Sequence, residues 1–309
     1  MGTPAFAVPS LEALAREGYE IVGVFTQPDR PAGRGHKLAA CPVKQCAEKL
    51  GLKVYQFEKL RTPEGLEVLR SVGADLFITA AFGQILTQQM LDIPPKGVIN
   101  VHASLLPKHR GSAPINRCIM EGDEESGVTI MLTDKGIDTG DMLSAEATPI
   151  GENETAGELT DRLSLLGAEL LVRTIPGYLS GEILPKKQDP EKATYEPMLD
   201  KAMAELDWTR PAIELKRLVM GFNPWPCAYT SLPGGKLKVL RAAVSAVSSD
   251  AAPGTVVVSG AKEGLVVACG EGCLELTEIQ APNSKAMGAK AYLMGKKIPV
   301  GTVLGGTEA

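Results

Sequence analysis

Two polar side chains interrupt a short apolar run in the middle of the chain, and a third follows the next such run. Asn100 and His102 fall within residues 98–102, and Asp138 lies in the glycine-rich segment 134–141. Side chains two residues apart on a β-strand share a face, so Asn100 and His102 should point the same way. Ligands of parallel α/β sheets bind outside the carboxyl ends of the strands. The pattern therefore predicts that an amide, an imidazole and a carboxylate meet in one cleft, a set that suits acyl transfer.

These three groups could stabilise and deprotonate a tetrahedral intermediate. The Asn100 amide can donate an N–H to a developing oxyanion. His102 can add a second donor or accept a proton from an attacking amine. Asp138 can orient the imidazole or receive the proton through a water molecule, and the sequence leaves the roles of His102 and Asp138 open. The alternative is structural, because a single histidine on an apolar strand is more often a hydrogen-bonded core residue than a catalyst.

Other reaction chemistries have no motif in this sequence. No motif pairs a serine or cysteine nucleophile with a base, which argues against a covalent enzyme intermediate. The six cysteines show no CxxC pair and no metal-ligand spacing with the three histidines, so we expect reduced thiols and no metal. No GxGxxG follows a predicted strand, so nothing indicates a nicotinamide or flavin dinucleotide.

Alternating strand and helix patterns must position the three polar groups. Apolar runs at residues 21–25, 53–55 and 75–81 alternate with amphipathic helix patterns and lead to the run at 98–102. This rhythm predicts an α/β fold with a doubly wound, mostly parallel, Rossmann-like sheet. A longer helix should begin after Thr155, because threonine is a favoured N-cap residue.

The last third of the chain has a different pattern. Residues 181–203 are rich in proline and charge, which indicates a linker. Five short apolar runs separated by glycine and proline follow, and they predict a small OB-like β-barrel. We therefore expect a catalytic domain at residues 1–180, the linker, and a barrel domain at residues 204–309.

The chain opens on a Gly-Thr-Pro turn that leads into a helix. Such a turn normally follows a strand, and no strand precedes it in this sequence. A sheet without that strand would leave the backbone groups and apolar faces of its neighbours uncovered. We therefore expect the natural chain to start upstream of Met1, which the intact mass of the native protein would test.

A long loop rich in proline and glycine spans residues 26–38. It carries the basic residues Arg30, Arg34 and Lys37, and glycines flank Arg34 on both sides. Glycine allows the backbone to approach a groove or a phosphate closely. The pattern fits a basic arm that binds nucleic acid, and the alternative is a solvated surface loop.

Composition restricts the class of protein. A length of 309 residues allows two domains, and the formal charge of −5 means that a nucleic-acid partner must be met by a local basic patch. No apolar run reaches the roughly 18 residues of a membrane span, and the first residues lack a signal-peptide pattern. We therefore expect a cytoplasmic protein with no membrane partner.

The motifs around the polar groups resemble those of a known family. The Asn-x-His pair at residues 100–102, the following SLLPKHRG at residues 104–111 and the Asp-x-Gly-Asp at residues 138–141 occur in one order. This set is similar to that of the 10-formyltetrahydrofolate-dependent formyltransferase superfamily. The basic loop and the Phe-Asn-Pro-Trp-Pro segment at residues 222–226 are most similar to members that formylate methionyl initiator tRNA.

The resemblance implies a role for each group of candidate residues. It makes Asn100, His102 and Asp138 catalytic, and it implies a wall for the folate cosubstrate, 10-formyltetrahydrofolate, at Ser104, Leu105, Leu106 and Pro107. It also implies that the basic loop engages the tRNA acceptor arm, with Arg34 entering it and Arg30 and Lys37 beside it. No metal and no obligate protein partner are expected.

The same chemistry could serve other acceptors. One alternative is a formyltransferase that acts on an amino sugar or a nucleotide, and another is a formyltetrahydrofolate hydrolase with water as acceptor. A third, from another class, is a folate-binding or RNA-binding regulator without catalysis. The basic loop and the C-terminal segment favour tRNA over the first two, and the complete set of three polar groups argues against the third.

Overall fold

A computed structural model describes residues 1–32, 37–232 and 235–305. The chain divides into two compact units. Unit 1 contains Met1–Pro114, Glu125–Pro149 and Thr160–Glu196, and unit 2 contains Ile115–Glu124, Ile150–Leu159 and Pro197–Ala309. No helix within the described residues combines the length and the apolar character that a membrane crossing needs.

Helices and strands are numbered here in chain order. The helices are α1 (Val8–Arg16), α2 (Pro42–Lys49), α3 (Pro63–Ser71), α4 (Gln88–Leu91), α5 (Pro114–Glu121), α6 (Ala156–Ser180), α7 (Ala212–Gly221) and α8 (Ala289–Gly295). The strands are β1 (Val24–Thr26), β2 (Arg30–Ala32), β3 (Lys37–Ala39), β4 (Val54–Gln56), β5 (Phe77–Thr79), β6 (Val98–His102), β7 (Arg110–Gly111), β8 (Glu125–Leu132), β9 (Met142–Pro149), β10 (Tyr195–Glu196), β11 (Ala228–Leu232), β12 (Gly235–Ser245), β13 (Val256–Gly260), β14 (Gly264–Ala268), β15 (Cys273–Gln280) and β16 (Met287–Gly288).

The main sheet of unit 1 has four strands in the order β5-β6-β8-β9, and β1 and β4 form a separate parallel pair. Strands β5 and β6 are parallel, as the sequence predicts, whereas β6/β8 and β8/β9 are antiparallel. A parallel crossover needs about a dozen residues or more. The segment between β8 and β9 is shorter and has no helix, so β9 must return antiparallel, and the sheet is mixed.

Strand β6 is flanked on both sides, by β5 and by β8. All of its residues are buried except Asn100, which is half-buried. Buried strands read as continuous apolar runs, and this one is apolar apart from its two polar side chains. A core of apolar residues packs around these strands: Phe25, Leu60, Leu66, Leu69, Phe77, Phe82, Leu86, Met90 and Val98.

Helix α6 starts as the sequence predicts, immediately after Thr155. The Thr155 hydroxyl accepts a hydrogen bond from Glu158 N (3.3 Å), and Glu158 Oε2 accepts one from Thr155 N (2.9 Å). This reciprocal arrangement is a capping box, which satisfies two backbone donors at the helix start.

Unit 2 contains a sheet in the order β11-β12-β15-β14-β13, with β16 paired to β15. Every pairing in this sheet is antiparallel. Strand β14 is buried throughout, and its Val266 and Ala268 belong to an apolar cluster with Cys273 of β15. No ladder among the described residues joins β11 to β13, so the C-terminal part is a β-sheet domain whose sheet is not closed, and the predicted OB-like barrel is not confirmed.

Candidate functional site

Asn100 lies on β6 directly opposite Thr79 of β5. The Thr79 hydroxyl is 2.8 Å from Asn100 Oδ1 and 3.2 Å from Ile99 O. Both neighbours are oxygen acceptors, so the hydroxyl is the donor and the Asn100 oxygen is the acceptor. The amide NH₂ of Asn100 is therefore turned away from Thr79 and can donate to a ligand.

His102 is buried at the end of β6, with 6% of its surface exposed. Its Nε2 is 3.0 Å from the carbonyl oxygen of His109. A carbonyl only accepts hydrogen bonds, so Nε2 carries the ring proton, and Nδ1 of the neutral ring is left as a base. Nδ1 is 3.7 Å from Asp138 Oδ1. The structure thus brings His102 and Asp138 together, with the carboxylate beside the basic nitrogen.

Asp138 is carried by the segment that connects β8 to β9. Its backbone φ is +54°, a left-handed conformation that non-glycine residues adopt rarely. Its Oδ2 accepts a hydrogen bond from Gly111 N (2.9 Å). Since Oδ1 faces His102, each carboxylate oxygen has a separate partner, and the side chain keeps 21% of its surface exposed.

Gln188 and Arg110 form a buried clamp that supports the segment of Asp138, and no sequence motif indicates the part of Gln188 in it. Gln188 Nε2 donates to the carbonyl oxygens of Asp138 (2.8 Å) and Gly140 (2.7 Å). Its Oε1 accepts from Arg110 Nε (3.0 Å) and Nη2 (2.7 Å), and Arg110 Nη1 donates to the hydroxyl of Tyr195 (2.9 Å). The clamp therefore holds the backbone of the segment that bears the Asp138 carboxylate.

The chain after α6 returns to the segment that follows β6. Strand β10 pairs in parallel with β7, so that Tyr195 lies opposite Arg110. His109 Nδ1 is 3.1 Å from Glu196 Oε1, and both side chains are buried. Arg110 stands in a recognisable motif, whereas nothing in the sequence around Gln188 marks that residue as part of a site.

The residues predicted to form the folate wall differ in exposure. Ser104 is buried, and its hydroxyl donates to Lys108 O (2.6 Å), while Leu106 is also buried. Leu105 and Pro107 are half-buried. The half-buried pair is therefore available to touch a ligand, and the other two support the loop from inside. The assignment of all four residues to the folate site stays a prediction.

The buried Thr129 of β8 is hydrogen-bonded to the loop that follows β6. Its hydroxyl donates to Ser104 O (2.7 Å) and accepts from Leu106 N (3.1 Å). Because β8 is the neighbour of β6 in the sheet, the loop is tied to the same framework as His102. The site is thus built on a rigid element rather than on the loop alone.

The two ends of the predicted basic loop form a short hairpin. Strands β2 and β3 form an antiparallel hairpin in which Arg30 is opposite Ala39. Arg30 Nη2 forms an exposed ion pair with Glu58 Oε2 (2.9 Å), and Lys37 begins β3. Arg34 lies outside the described residues. The roles of these three basic residues in tRNA binding stay predictions.

A second ion pair anchors the start of this hairpin. Lys44 Nζ is 2.8 Å from Asp29 Oδ2, and Gln56 Nε2 donates to Asp29 Oδ1 (2.9 Å). The hydrogen bonds from Lys44 and Gln56 lower the pKa of the Asp29 carboxyl. The start of the hairpin is therefore fixed to α2 and β4 of the same unit.

Comparison with known proteins identifies the family. Residues 1–175 match the family described as Formyl transferase, and residues 198–297 match the family described as Formyl transferase, C-terminal domain. A methionyl-tRNA formyltransferase of Trichlorobacter lovleyi is 47% identical over 304 residues, which cover 98% of this chain and 95% of that protein. One of Clostridium novyi is 48% identical over 305 residues, which cover 98% of both chains.

A solved structure agrees with the fold. The crystal structure of WlaRD, a sugar 3N-formyl transferase with dTDP and 5-N-formyl-THF, gives a TM-score of 0.66 at 17% identity. The match covers 92% of this chain and 97% of WlaRD. The resemblance inferred from the motifs is thus confirmed over nearly the whole chain: this protein belongs to the methionyl-tRNA formyltransferase family.

Proposed function

We propose that this chain transfers the formyl group of 10-formyltetrahydrofolate to the α-amino group of methionine on initiator tRNA. The observation that carries the proposal is the meeting of His102 Nδ1 and Asp138 Oδ1 at 3.7 Å, with Asn100 two residues before His102 on the same face of β6. The identity of nearly half of all residues with full-length methionyl-tRNA formyltransferases supports this acceptor.

The reaction begins when the neutral amine nitrogen attacks the formyl carbon. A carbon–nitrogen bond forms, the carbonyl electron pair moves to oxygen, and a tetrahedral oxyanion results. The free NH₂ of Asn100 is suited to donate to that oxygen, because Thr79 holds the amide oxygen on the other side. Loss of one such donor typically lowers the rate about 100- to 1000-fold.

His102 is the candidate acceptor of the amine proton. In the neutral ring the hydrogen bond from Nε2 to His109 O leaves Nδ1 as the nitrogen that can accept a proton. Proton transfer makes the ring an imidazolium, and the Asp138 carboxylate is placed to stabilise that charge. Collapse of the intermediate breaks the bond from the formyl carbon to N10 of the folate, and the proton on His102 can then pass to N10. General acid–base catalysis of this kind contributes about 100- to 10,000-fold.

The folate is proposed to lie against the loop after β6. Leu105 and Pro107 offer partly exposed apolar surface, while Ser104 and Leu106 hold the loop from inside. We also propose that the hairpin base at Arg30 and Lys37 presents Arg34 to the tRNA acceptor arm. Such phosphate contacts would make tRNA use sensitive to salt.

The C-terminal unit is proposed to be a curved, OB-like sheet that contributes to tRNA binding. Register shifts on β12 between Val239 and Arg241 and between Arg241 and Ala242 support the curvature, because bulges bend strands. We propose a catalytic domain at residues 1–180, a linker at 181–203 and this domain at 204–309. We further propose that the enzyme is cytoplasmic and acts without an obligate protein partner.

One assay distinguishes the candidate activities. The chain is incubated with 10-formyltetrahydrofolate and either charged initiator tRNA, an amino-sugar nucleotide or no acceptor, and the formyl group is traced. We expect formylmethionyl-tRNA to be the dominant product. Formylation of the sugar nucleotide, or formate release at the same rate without an acceptor, would replace the proposed function with one of the two alternatives.

A further inference from the structure

The carbonyl oxygen of His109 determines which nitrogen of His102 carries the ring proton. A neutral imidazole has one such proton, and His102 has an acceptor on each side: His109 O is 3.0 Å from Nε2, and Asp138 Oδ1 is 3.7 Å from Nδ1. At equal distance the carboxylate would be the stronger acceptor. At 3.7 Å, however, it is beyond hydrogen-bonding range, so the carbonyl receives the proton. The position of His109 O therefore keeps Nδ1 available as the base.

The backbone of His109 has an unfavourable conformation. Its φ is +55°, a left-handed value that residues with a Cβ seldom adopt. Such a conformation persists only where the surrounding contacts impose it. The contacts that impose it must also set the direction of the His109 carbonyl.

Three hydrogen bonds form a closed ring between His109 and the segment that contains β10. His109 N donates to Thr194 Oγ1 (2.8 Å), and the Thr194 hydroxyl donates to Glu196 Oε1 (3.2 Å). The ring of His109 donates from Nδ1 to the same Oε1 (3.1 Å). The side chains of His109 and Glu196 are both buried. A single carboxylate oxygen thus holds the side chain of His109 directly and its backbone through Thr194.

The peptide group that contains the His109 carbonyl is fixed by the same segment. Arg110 N donates to Thr194 O (2.9 Å). In a trans peptide the N–H and the C=O point in opposite directions. The bond from Arg110 N therefore directs His109 O away from Thr194 and toward His102.

The segment also supports the carboxylate beside His102. Gly111 N donates to Asp138 Oδ2 (2.9 Å), and Gly111 is paired with Glu196 in the β7/β10 ladder. A Cβ at Gly111 would lie 2.5 Å from Glu196 O, and φ of Gly111 is +104°. Only glycine allows the two strands to approach this closely. Residues 194–196 thus hold the neighbours of both His102 and Asp138.

We propose that Glu196 is a positioning residue of the transfer reaction: through His109 it keeps the proton of His102 on Nε2 and the basic nitrogen at Nδ1. Without the Glu196 carboxylate, the His109 carbonyl loses its fixed direction. The ring of His102 then turns toward Asp138 and carries its proton on Nδ1, as in a Ser-His-Asp triad, so that Nδ1 is no longer the base. The role in the reaction rests on the proposed function, whereas the tautomer does not depend on any substrate.

The first test measures the tautomer of His102 directly. The three histidines of the chain are labelled with ¹⁵N, and the ring nitrogens are followed by NMR at alkaline pH, where an imidazole is neutral. Protonated and unprotonated ring nitrogens differ strongly in ¹⁵N chemical shift, and His102→Gln identifies the signals of His102. We expect the proton mainly on Nε2 in the unsubstituted chain and mainly on Nδ1 in Glu196→Ala.

The second test is steady-state formylation of charged initiator tRNA. Glu196→Ala should lower kcat by at least about tenfold with little change in KM for either substrate, because it displaces the base rather than a binding group. Glu196→Gln retains an oxygen that can accept from His109 and Thr194, so it should keep the Nε2 tautomer and lose less than Glu196→Ala. Glu191→Ala removes an exposed carboxylate from the same segment and should change neither readout.

Two further variants guard against a Glu196→Ala chain that does not fold. Thr194→Val removes the hydroxyl between His109 N and Glu196, and His109→Gly retains the left-handed backbone without strain but removes the ring that binds Glu196. Both should move the His102 proton toward Nδ1. An unchanged tautomer in the folded variants, or a proton already on Nδ1 in the unsubstituted chain, overturns the inference.

The two proposals fail separately. An unsubstituted chain that does not formylate tRNA contradicts the proposed function, and the NMR measurement still tests the link from Glu196 to His102. A chain that formylates tRNA equally well with Glu196→Ala contradicts only the role of Glu196.

Discussion

Replacing Asn100 with aspartate tests the proposed chemistry most directly. Aspartate has the shape of asparagine, and its oxygen can still accept the hydrogen bond from the Thr79 hydroxyl, which is 2.8 Å away in the present structure. The fold should therefore be retained. The change removes the only N–H donors of that side chain and replaces them with a carboxylate oxygen.

The expected loss follows from two effects. Removal of an oxyanion donor costs about 2.7–4 kcal/mol of transition-state stabilisation, or about 100- to 1000-fold in kcat. A carboxylate beside the developing oxyanion adds repulsion of up to about 4 kcal/mol at 4 Å with an effective dielectric constant of 20. Asn100→Ala should thus lose about 100- to 1000-fold, and Asn100→Asp at least about 1000-fold.

Single-turnover formylation of charged initiator tRNA at saturating folate measures this loss. Thr79→Val is the matched control, since it removes the hydroxyl that orients the amide but leaves the NH₂ in place, and it should lose less than about tenfold. Affinity for tRNA should change little in all three variants. An Asn100→Asp enzyme that keeps a tenth of the normal rate would refute the assignment of Asn100 to the oxyanion.

Three further predictions concern positioning, stability and tRNA use. Gln188→Ala should lower kcat about 10- to 100-fold with little change in KM, because the backbone at Asp138 loses its clamp; an unchanged kcat contradicts this. Hydrogen bonds from Thr155 and Arg241 lower the pKa of Glu158 to about 2, so its stabilising effect should be full above about pH 4.5 and disappear as the pH falls toward 2. The free energies of unfolding in urea of the unsubstituted chain and of Glu158→Gln should therefore become equal in acid. A difference that stays constant with pH would contradict this role of Glu158. Arg34→Ala should weaken tRNA use and reduce its dependence on salt, as measured by kcat/KM at two salt concentrations, and equal salt slopes would remove Arg34 from the interface.

Local pattern was sufficient to predict the strand that carries the site. Asn100 and His102 follow the period of two in an apolar run, and β6 has the bounds that the pattern predicts, residues 98–102. The cap at Thr155 was also predictable, because the capping box is a contiguous sequence signal with Glu158 at the third position after it.

Contacts between distant segments were not predictable. Gln188 lies in a stretch without periodicity, and its function arises only when that stretch returns to the β8–β9 connection. The pairing of β10 with β7 involves two residues on each side, too few to leave a pattern in the sequence. Closure of the predicted OB-like barrel was not predictable for a related reason, since the spacing of five strands does not determine whether the first and last strands pair.

The location of Gln188 has a practical consequence for protein engineering. The N-terminal family match ends at residue 175, yet the clamp and the β10 pairing involve residues 188–196. A chimera cut at the family boundary would separate the Asp138 segment from its support while leaving Asn100, His102 and Asp138, the proposed catalytic residues, in place. Fusions that exchange the C-terminal part between formyltransferases should therefore be joined after Glu196, where unit 1 ends.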